Sequence, residues 1–192
     1  MSYLIAPLQK VRSGEFPEFQ QAMASLEAAA RQRAAAIFSG FTPGGVLPGD
    51  GSFGQANLLP KKVLGAGTFT WVQTFRAPGS FTNIFSYTVP NDEIHAYAGF
   101  IIPDPLIFSQ FRMQVSDRIY PILEVEEARA FKDGFAIVLK QDSGAETVVE
   151  EKKIFTLQGY QERGTSGNSQ RVIPIGFALY INKDTYISTG RT

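Results

Sequence analysis

The chain has 192 residues, of which 44% are hydrophobic and 19% are charged, a composition typical of a globular protein with one well-buried core. Its 18 basic and 18 acidic residues balance, so we expect no nucleic-acid partner, which would require clustered Lys and Arg. The absence of Cys excludes disulfides, thiolate metal sites and a Cys nucleophile. We also expect no membrane partner, because no stretch approaches the roughly 18 apolar residues of a span, and no signal-type leader is recognisable, which favours folding in the cytoplasm.

The segment from Phe16 to Phe38 is predicted to form an amphipathic helix, because apolar residues recur in it at steps of three and four. Ser13 is placed to cap its start, and Ser39-Gly40 is placed to end it. Its other faces are rich in Ala, which allows another backbone to approach closely. The apolar stripe either packs on the chain's own sheet or contacts another subunit, and its members are candidate interface residues: Phe16, Phe19, Met23, Leu26, Ala30 and Ile37.

The predicted organisation has three parts. Residues 1–40 form an N-terminal arm with the helix, and residues 41–67, rich in Gly and Pro without a periodic pattern, form a connector. In residues 68–192 the apolar side chains alternate with period two, which predicts eight or nine short strands separated by turns. Strands without intervening helices are typical of an antiparallel β-sandwich, and eight strands suit a jelly roll. We therefore expect a mainly β, jelly-roll-like sandwich preceded by one helix.

Residues that could carry chemistry are few. His95 is the only imidazole, and its alternation with the apolar Ile94 and Ala96 predicts that it projects outward. A single His argues against a cupin-type metal site, because such a site needs several His and carboxylates. The run Gly49–Gly54 matches the dinucleotide fingerprint, but no strand–loop–helix unit surrounds it, so we expect no cofactor. Most acidic residues fall in predicted turns or at strand ends, where solvent keeps carboxylates ionised. Glu124 and Glu126 share a predicted strand face, the spacing that a glycosidase dyad could use, but we assign no catalytic residue.

Several predicted strands carry large apolar side chains on both faces. Phe108 opposes Ile107, and Ile173 opposes Val172. A sheet face that meets water should be polar, so these strands need cover from another layer of the chain or from a partner.

Two stretches of the predicted sandwich, "YTVPNDEIHAYAGFIIPDP" and "FRMQVSDRIYPILEVEEARAF", resemble structural proteins of virions with a jelly-roll fold. Within a neutral, Cys-free chain with a helical arm, they are similar to capsid cement or decoration proteins and to small capsid subunits. The resemblance implies a non-enzymatic assembly role in the virion, assembled in the host cytoplasm, as a homo-oligomer (a trimer is favoured) that contacts other capsid proteins. It includes no signature motif, so it assigns no functional residue.

A ligand-binding module is the alternative that the sequence leaves open. Aromatic side chains on the surface of a β-sandwich can stack on sugar rings, and Tyr97, Tyr160 and Tyr186 are the candidates for such a carbohydrate-binding surface.

Overall fold

The computed structural model describes residues 2–38, 53–75, 79–103, 107–140, 147–161 and 168–181. The helices of these residues are α1 (Leu8–Ser13), α2 (Pro17–Phe38), α3 (Pro60–Val63) and a 3-10 helix (Glu126–Ala130). The strands are β1 (Ser2–Pro7), β2 (Phe53–Asn57), β3 (Val72–Phe75), β4 (Phe81–Thr88), β5 (Glu93–Ile102), β6 (Gln110–Val115), β7 (Arg118–Ile119), β8 (Leu123–Glu124), β9 (Phe135–Lys140), β10 (Val148–Val149), β11 (Ile154–Tyr160), β12 (Asn168–Arg171) and β13 (Ile173–Ile181).

The strands form two main antiparallel sheets and a small ribbon. Sheet 1 has the order β1-β9-β5-β13-β2, with β10 also paired to β5, and sheet 2 has the order β4-β11-β6-β7, with β8 also paired to β6. The ribbon consists of β3 and β12. Because these sheets are antiparallel and a helix lies near the N-terminus, the prediction of a mainly β sandwich with an N-terminal helix is confirmed.

The pairing of the strands is nested along the chain. β2 pairs with β13, β4 with β11, β5 with β9, and β6 with β7 and β8. The chain thus resembles one long hairpin, which rolls up because β13 also pairs with β5 and β11 also pairs with β6. Two facing antiparallel sheets connected in this way have the jelly-roll arrangement.

Aromatic side chains fill the space between the two sheets. The ring of Tyr97 stacks on Phe155, with centroids 4.1 Å apart and planes 11° from parallel. Phe85 lies 6.1 Å from Phe100 and 6.2 Å from Phe155 between ring centroids. These residues come from β4, β5 and β11, so the aromatic cluster joins sheet 1 to sheet 2 and accounts for much of the heavy use of Phe.

Helix α2 covers the other face of sheet 1. The buried residues of the helix recur at every fourth position and form one line along it. They pack against alanines of the sheet, including Ala96, Ala98 and Ala136. Small side chains on both sides let the helix backbone approach the sheet closely. The buried line of the helix consists of Ala22, Leu26, Ala30, Ala34 and Phe38.

The predicted interface stripe of the helix therefore lies against the chain's own sheet. Leu26 and Ala30 have no exposed surface. The remaining members of the stripe are partly buried against the same cluster, namely Phe16, Phe19, Met23 and Ile37. The role of the stripe in an interface between subunits stays a prediction.

The N-terminal region differs from the predicted separate arm. Strand β1 pairs with β9 along its whole length, and β2 pairs with β13, so both belong to sheet 1. Ser13 ends α1 instead of capping α2, and Gly14 follows it in the left-handed conformation with φ 77°, which glycine adopts without strain. The apolar run in β1 is too short for its period to be recognised from the sequence. Residues 39–52 of the predicted helix end and connector lie outside the described residues.

A bulge in β5 changes which face its side chains occupy. Gly99 pairs with Ile175, whereas Tyr97 pairs with Gly176, so one residue of β5 is extra at this point. A Cβ on Gly99 would lie 1.9 Å from the carbonyl oxygen of Ile137, which only glycine avoids. An unbroken alternation along β5 would place Phe100 on the same face as Ala98, but with the bulge Phe100 faces sheet 2 while Ala98 faces the helix.

Close packing between α2 and sheet 1 predicts a strong dependence on side-chain size. We expect Ala30→Leu to lower the free energy of unfolding by about 1–3 kcal/mol, because the added atoms overpack a fully buried site. Ala24→Leu is the matched control, since Ala24 is exposed on the same helix and Leu has similar helix propensity. Urea denaturation of both variants tests this, and an equal change in the two would contradict it.

Candidate functional site

The most heavily linked polar side chains of the described chain lie where α3 meets the start of β5. Glu93 Oε2 accepts hydrogen bonds from Lys62 Nζ at 2.6 Å and from His95 Nε2 at 2.9 Å. On the other side of the imidazole, Tyr87 Oη lies 2.6 Å from His95 Nδ1, and the hydroxyls of Tyr87 and Tyr97 also contact each other. We call these five residues the polar chain.

The strand register explains how the polar chain forms. His95 and Tyr97 alternate with Ala96 on β5, so both point away from the helix and toward sheet 2. Tyr87 points toward them from β4 of sheet 2. Glu93 is the first residue of β5, where the sandwich begins to open, and its side chain keeps 18% of its surface exposed. Lys62 reaches it from the short helix α3, with 28% of its side chain exposed.

The hydrogen bonds assign the protons along the polar chain. A carboxylate only accepts, so His95 donates its Nε2 hydrogen to Glu93. Nδ1 of the neutral imidazole is then an acceptor and takes the hydrogen of the Tyr87 hydroxyl. The Tyr87 oxygen in turn can accept the hydrogen of Tyr97. Every polar side chain in the series therefore has a partner, as buried polar groups require.

The pKa values follow the same arrangement. Burial lowers the pKa of His95 and outweighs the hydrogen bond and charge of Glu93, which act in the opposite direction. Burial alone would raise the pKa of Glu93, but the hydrogen bonds and charges of Lys62 and His95 outweigh it and lower this pKa. Burial, followed by the charge of Glu93, raises the pKa of Tyr87. At neutral pH the series thus holds the Glu93 carboxylate, a neutral His95 imidazole and a neutral Tyr87 phenol.

This arrangement connects the layers of the protein and encloses the imidazole. His95 and Tyr97 have no exposed surface, and Tyr97 is stacked on Phe155. The carboxylate–imidazole–hydroxyl order resembles that of groups that activate a nucleophile, but here the hydroxyl at its end lies in the core between the sheets. The polar chain therefore acts as a set of hydrogen bonds that hold α3, sheet 1 and sheet 2 together.

Two predictions about these residues are wrong. His95 does not project outward, and Tyr97 is not available to stack on a sugar, because both are completely buried. The sequence pattern correctly separates His95 from Ile94 and Ala96, but the second face of β5 meets sheet 2 instead of solvent. Glu93 lies two positions before His95, and residues i and i+2 share a face of a strand. This spacing is the one sequence signal for the hydrogen bond between Glu93 and His95. The contribution of Lys62 and Tyr87 depends on the tertiary structure alone.

The other candidates from the sequence lie elsewhere. Glu124 is in β8 and Glu126 begins the 3-10 helix, and both are exposed. Glu124 accepts a hydrogen bond from Gln110, and Glu126 lies 3.9 Å from Arg129. Tyr160 is half-buried on the outer face of sheet 2, whereas Tyr186 and most of the Gly49–Gly54 run lie outside the described residues.

Within the described ranges, no three His, Asp or Glu side chains come together in a way that could hold a metal ion. Over the same residues, no helix is both long and apolar enough to cross a membrane. Comparison of the chain with protein-family models, with curated proteins and with solved structures finds no match.

The polar chain predicts that the free energy of unfolding decreases in two stages as the pH is lowered. The folded-state pKa values of His95 and Glu93 lie below the ordinary values of 6.5 and 4.5, so the unfolded state binds protons first as the pH falls. Each group stabilises the fold fully above its unfolded-state pKa and ceases to do so as the pH falls through its folded-state pKa. We expect the free energy of unfolding to decrease below about pH 6.5 with a slope of up to about 1.4 kcal/mol per pH unit from His95, and further below pH 4.5 from Glu93.

Urea denaturation at a series of pH values measures this dependence. His95→Gln is the control, because an amide can replace the hydrogen bonds of the imidazole but does not titrate. The variant should lose the part of the slope that begins near the pKa of an ordinary histidine. An identical pH dependence in the two proteins would show that His95 does not cause it.

Proposed function

We propose that this protein is a non-enzymatic structural protein that self-associates and binds neighbouring subunits in a particle, as a capsid cement, decoration or minor capsid protein does. Jelly rolls occur in viral capsid proteins, in lectins and in cupin enzymes, so the fold alone does not select a function. The buried imidazole of His95 gives no support to catalysis at the polar chain. The surface of sheet 2 supplies the argument for assembly.

The observation that carries this proposal is an apolar patch at one end of sheet 2. Ile119, Ile122 and Ile154 are among the most exposed large apolar side chains of the described residues, at 58%, 43% and 48%. Ile119 pairs with Gln114, which pairs with Thr156, so Ile119 and Ile154 lie on the same face of the sheet. Ile122 lies between β7 and β8, beside this face. A sheet face that meets only water is usually polar, so several exposed isoleucines on one side of a sheet favour a surface that meets another protein.

The position of the isoleucine patch fits self-association. β7 is the last strand of sheet 2, and an edge strand can pair with another chain unless it is blocked. The patch is therefore next to an edge where a second copy can add both apolar contacts and backbone hydrogen bonds. In this proposal the protein forms a homo-oligomer, with a trimer favoured, and acts in the virion together with other capsid proteins.

Charged substitutions in the isoleucine patch test the proposal. We expect Ile119→Glu combined with Ile154→Glu to shift the protein from an oligomer to a monomer in size-exclusion chromatography with light scattering, because two carboxylates would have to be buried in the interface. The folded subunit should lose no more than about 0.5 kcal/mol, since both side chains are half exposed. Phe69→Glu is the control, because Phe69 is 82% exposed and lies outside the patch. A wild-type protein that is monomeric, or a double variant that still oligomerises, contradicts the proposal.

A carbohydrate-binding module is a second candidate, which one feature of sheet 2 favours. Tyr160 and Phe81 lie side by side on neighbouring strands, with ring centroids 5.4 Å apart, and the Arg112 guanidinium lies 4.2 Å from the Phe81 centroid. Arg112 donates two hydrogen bonds to Gln158, which donates one to Asn83. Aromatic rings beside a fixed row of planar polar groups suit a sugar, which presents both apolar C–H faces and hydroxyls.

Glycan-array binding distinguishes this candidate. If the protein binds a glycan through the outer face of sheet 2, Tyr160→Ala should reduce binding at least about tenfold, which corresponds to the loss of roughly 1.4 kcal/mol of contact energy. Tyr180→Ala is the matched control, because Tyr180 is a partly exposed tyrosine on β13 of the other sheet. Absence of binding across a broad array would exclude the candidate.

A further inference from the structure

A cleft of about 460 Å³ lies between β3 and β4. Val72 and Gln73 of β3 line it, together with the four consecutive residues 83–86 of β4, and the end of α3 closes part of it. A cleft above one face of a strand would touch every second residue, because side chains alternate between the faces. Contact with consecutive residues indicates that this cleft runs along the edge of β4. We call it the strand cleft.

The strand edges at this cleft have no pairing partner in the described part of the chain. β4 pairs with β11 on its other side, and β3 pairs with β12. β3 and β4 do not pair with each other, although they follow one another in the chain. Backbone N–H and C=O groups of both edges are therefore available to a polypeptide that enters between them.

One nitrogen of the buried Gln170 side chain, across the ribbon from the cleft residue Gln73, has no hydrogen-bond partner among the described residues. Gln170 is 1% exposed, and its Oε1 accepts a hydrogen bond from the backbone N–H of Ile107 at 3.0 Å. Its Nε2 is buried without an acceptor. Gln170 lies directly opposite Gln73 in the ribbon, so the two side chains point to the same side of it. A buried donor without an acceptor is unfavourable, and this one lies in the ribbon behind Gln73, which lines the cleft.

The lining also restricts the charge of the ligand. None of the described residues that line the strand cleft is ionisable, and the lining includes both apolar side chains such as Val63 and Val72 and polar ones such as Thr68 and Ser86. A charged side chain inserted there would lose hydration without gaining a partner. An uncharged segment of β-branched and aromatic residues, which favour the extended conformation, is complementary to these walls.

We propose that the strand cleft is a binding site for an extended, uncharged polypeptide segment of a partner protein, which adds as a strand between β3 and β4. Four residues of β4 line the cleft, so the bound segment spans about 13 Å at the usual rise of a strand. Main-chain hydrogen bonds to the two edges hold it, and alternate side chains contact the lining. This site is separate from the isoleucine patch and does not depend on self-association.

The single Trp of the chain provides the measurement. Trp71 directly precedes Val72, and its ring contacts Phe85 with centroids 6.5 Å apart, so its fluorescence reports on the strand cleft. The probes are capped hexapeptides in which Thr alternates with Val, Ile or Tyr. We expect at least one to change the Trp71 emission saturably with a dissociation constant below about 1 mM, and to slow amide hydrogen exchange in β3 and β4. The same peptide with alternate N-methylated amides should bind at least tenfold more weakly, because it keeps the side chains but lacks half of the donors.

Variants of the protein locate the binding. Val72→Arg should weaken binding at least tenfold, because it places a charge in the cleft at a position that is 48% exposed in the free protein. Phe69→Arg should leave binding unchanged, since Phe69 does not line the cleft, and circular dichroism checks that both variants are folded. Equal binding of the N-methylated peptide, equal binding by Val72→Arg, or no response in emission or exchange with any peptide of the panel would overturn the proposal. If the protein is a monomer but binds the peptides, only the proposal of assembly through the isoleucine patch is contradicted. If it is an oligomer but binds none of the peptides, only the proposal for the strand cleft is contradicted.

Discussion

Sheet 1 lies between helix α2 and sheet 2, so its central strand β5 is buried on both faces from Ile94 to Phe100. The two faces are chemically different because they meet different partners. Toward the helix the strand presents small side chains such as Ala96 and Ala98, which allow a close approach of backbones. Toward sheet 2 it presents rings, which fill the wider space between two sheets. The Gly99 bulge preserves this division, because strict alternation would place Phe100 on the same face as Ala98.

Double burial also explains the polar chain. A histidine on the inner face of a buried strand must be hydrogen-bonded at both ring nitrogens, because water cannot reach it. Glu93 and Tyr87 supply those bonds, and Lys62 compensates the charge of the carboxylate. The arrangement joins α3, β4 and β5. It is sensitive to protonation because it contains a carboxylate and an imidazole, although the imidazole itself is closed to solvent. Its perturbed pKa values thus reflect a structural role.

The surfaces left for recognition belong mainly to sheet 2 and to the strand edges. The helix already covers the outer face of sheet 1, whereas the outer face of sheet 2 combines a hydrogen-bonded row of polar side chains with exposed isoleucines. The strand cleft and the end strand β7 add backbone groups that pair with no other strand of the described residues. Apolar patches and open edges are features that a protein working alone would avoid, and this is the physical basis of the assembly proposal.

The sequence by itself determined the helix over most of its length, the β class, and strands such as β5 and β9, because their apolar periods are long and regular. It did not reveal β1 and β2, whose patterns are short, or the bulge at Gly99, which shifts the phase of β5 within an unbroken apolar run. The partners of His95 and the direction of its side chain were decided by the tertiary structure. Alternation along a strand separates two faces, but only the packing of layers determines whether the second face meets water or a second sheet.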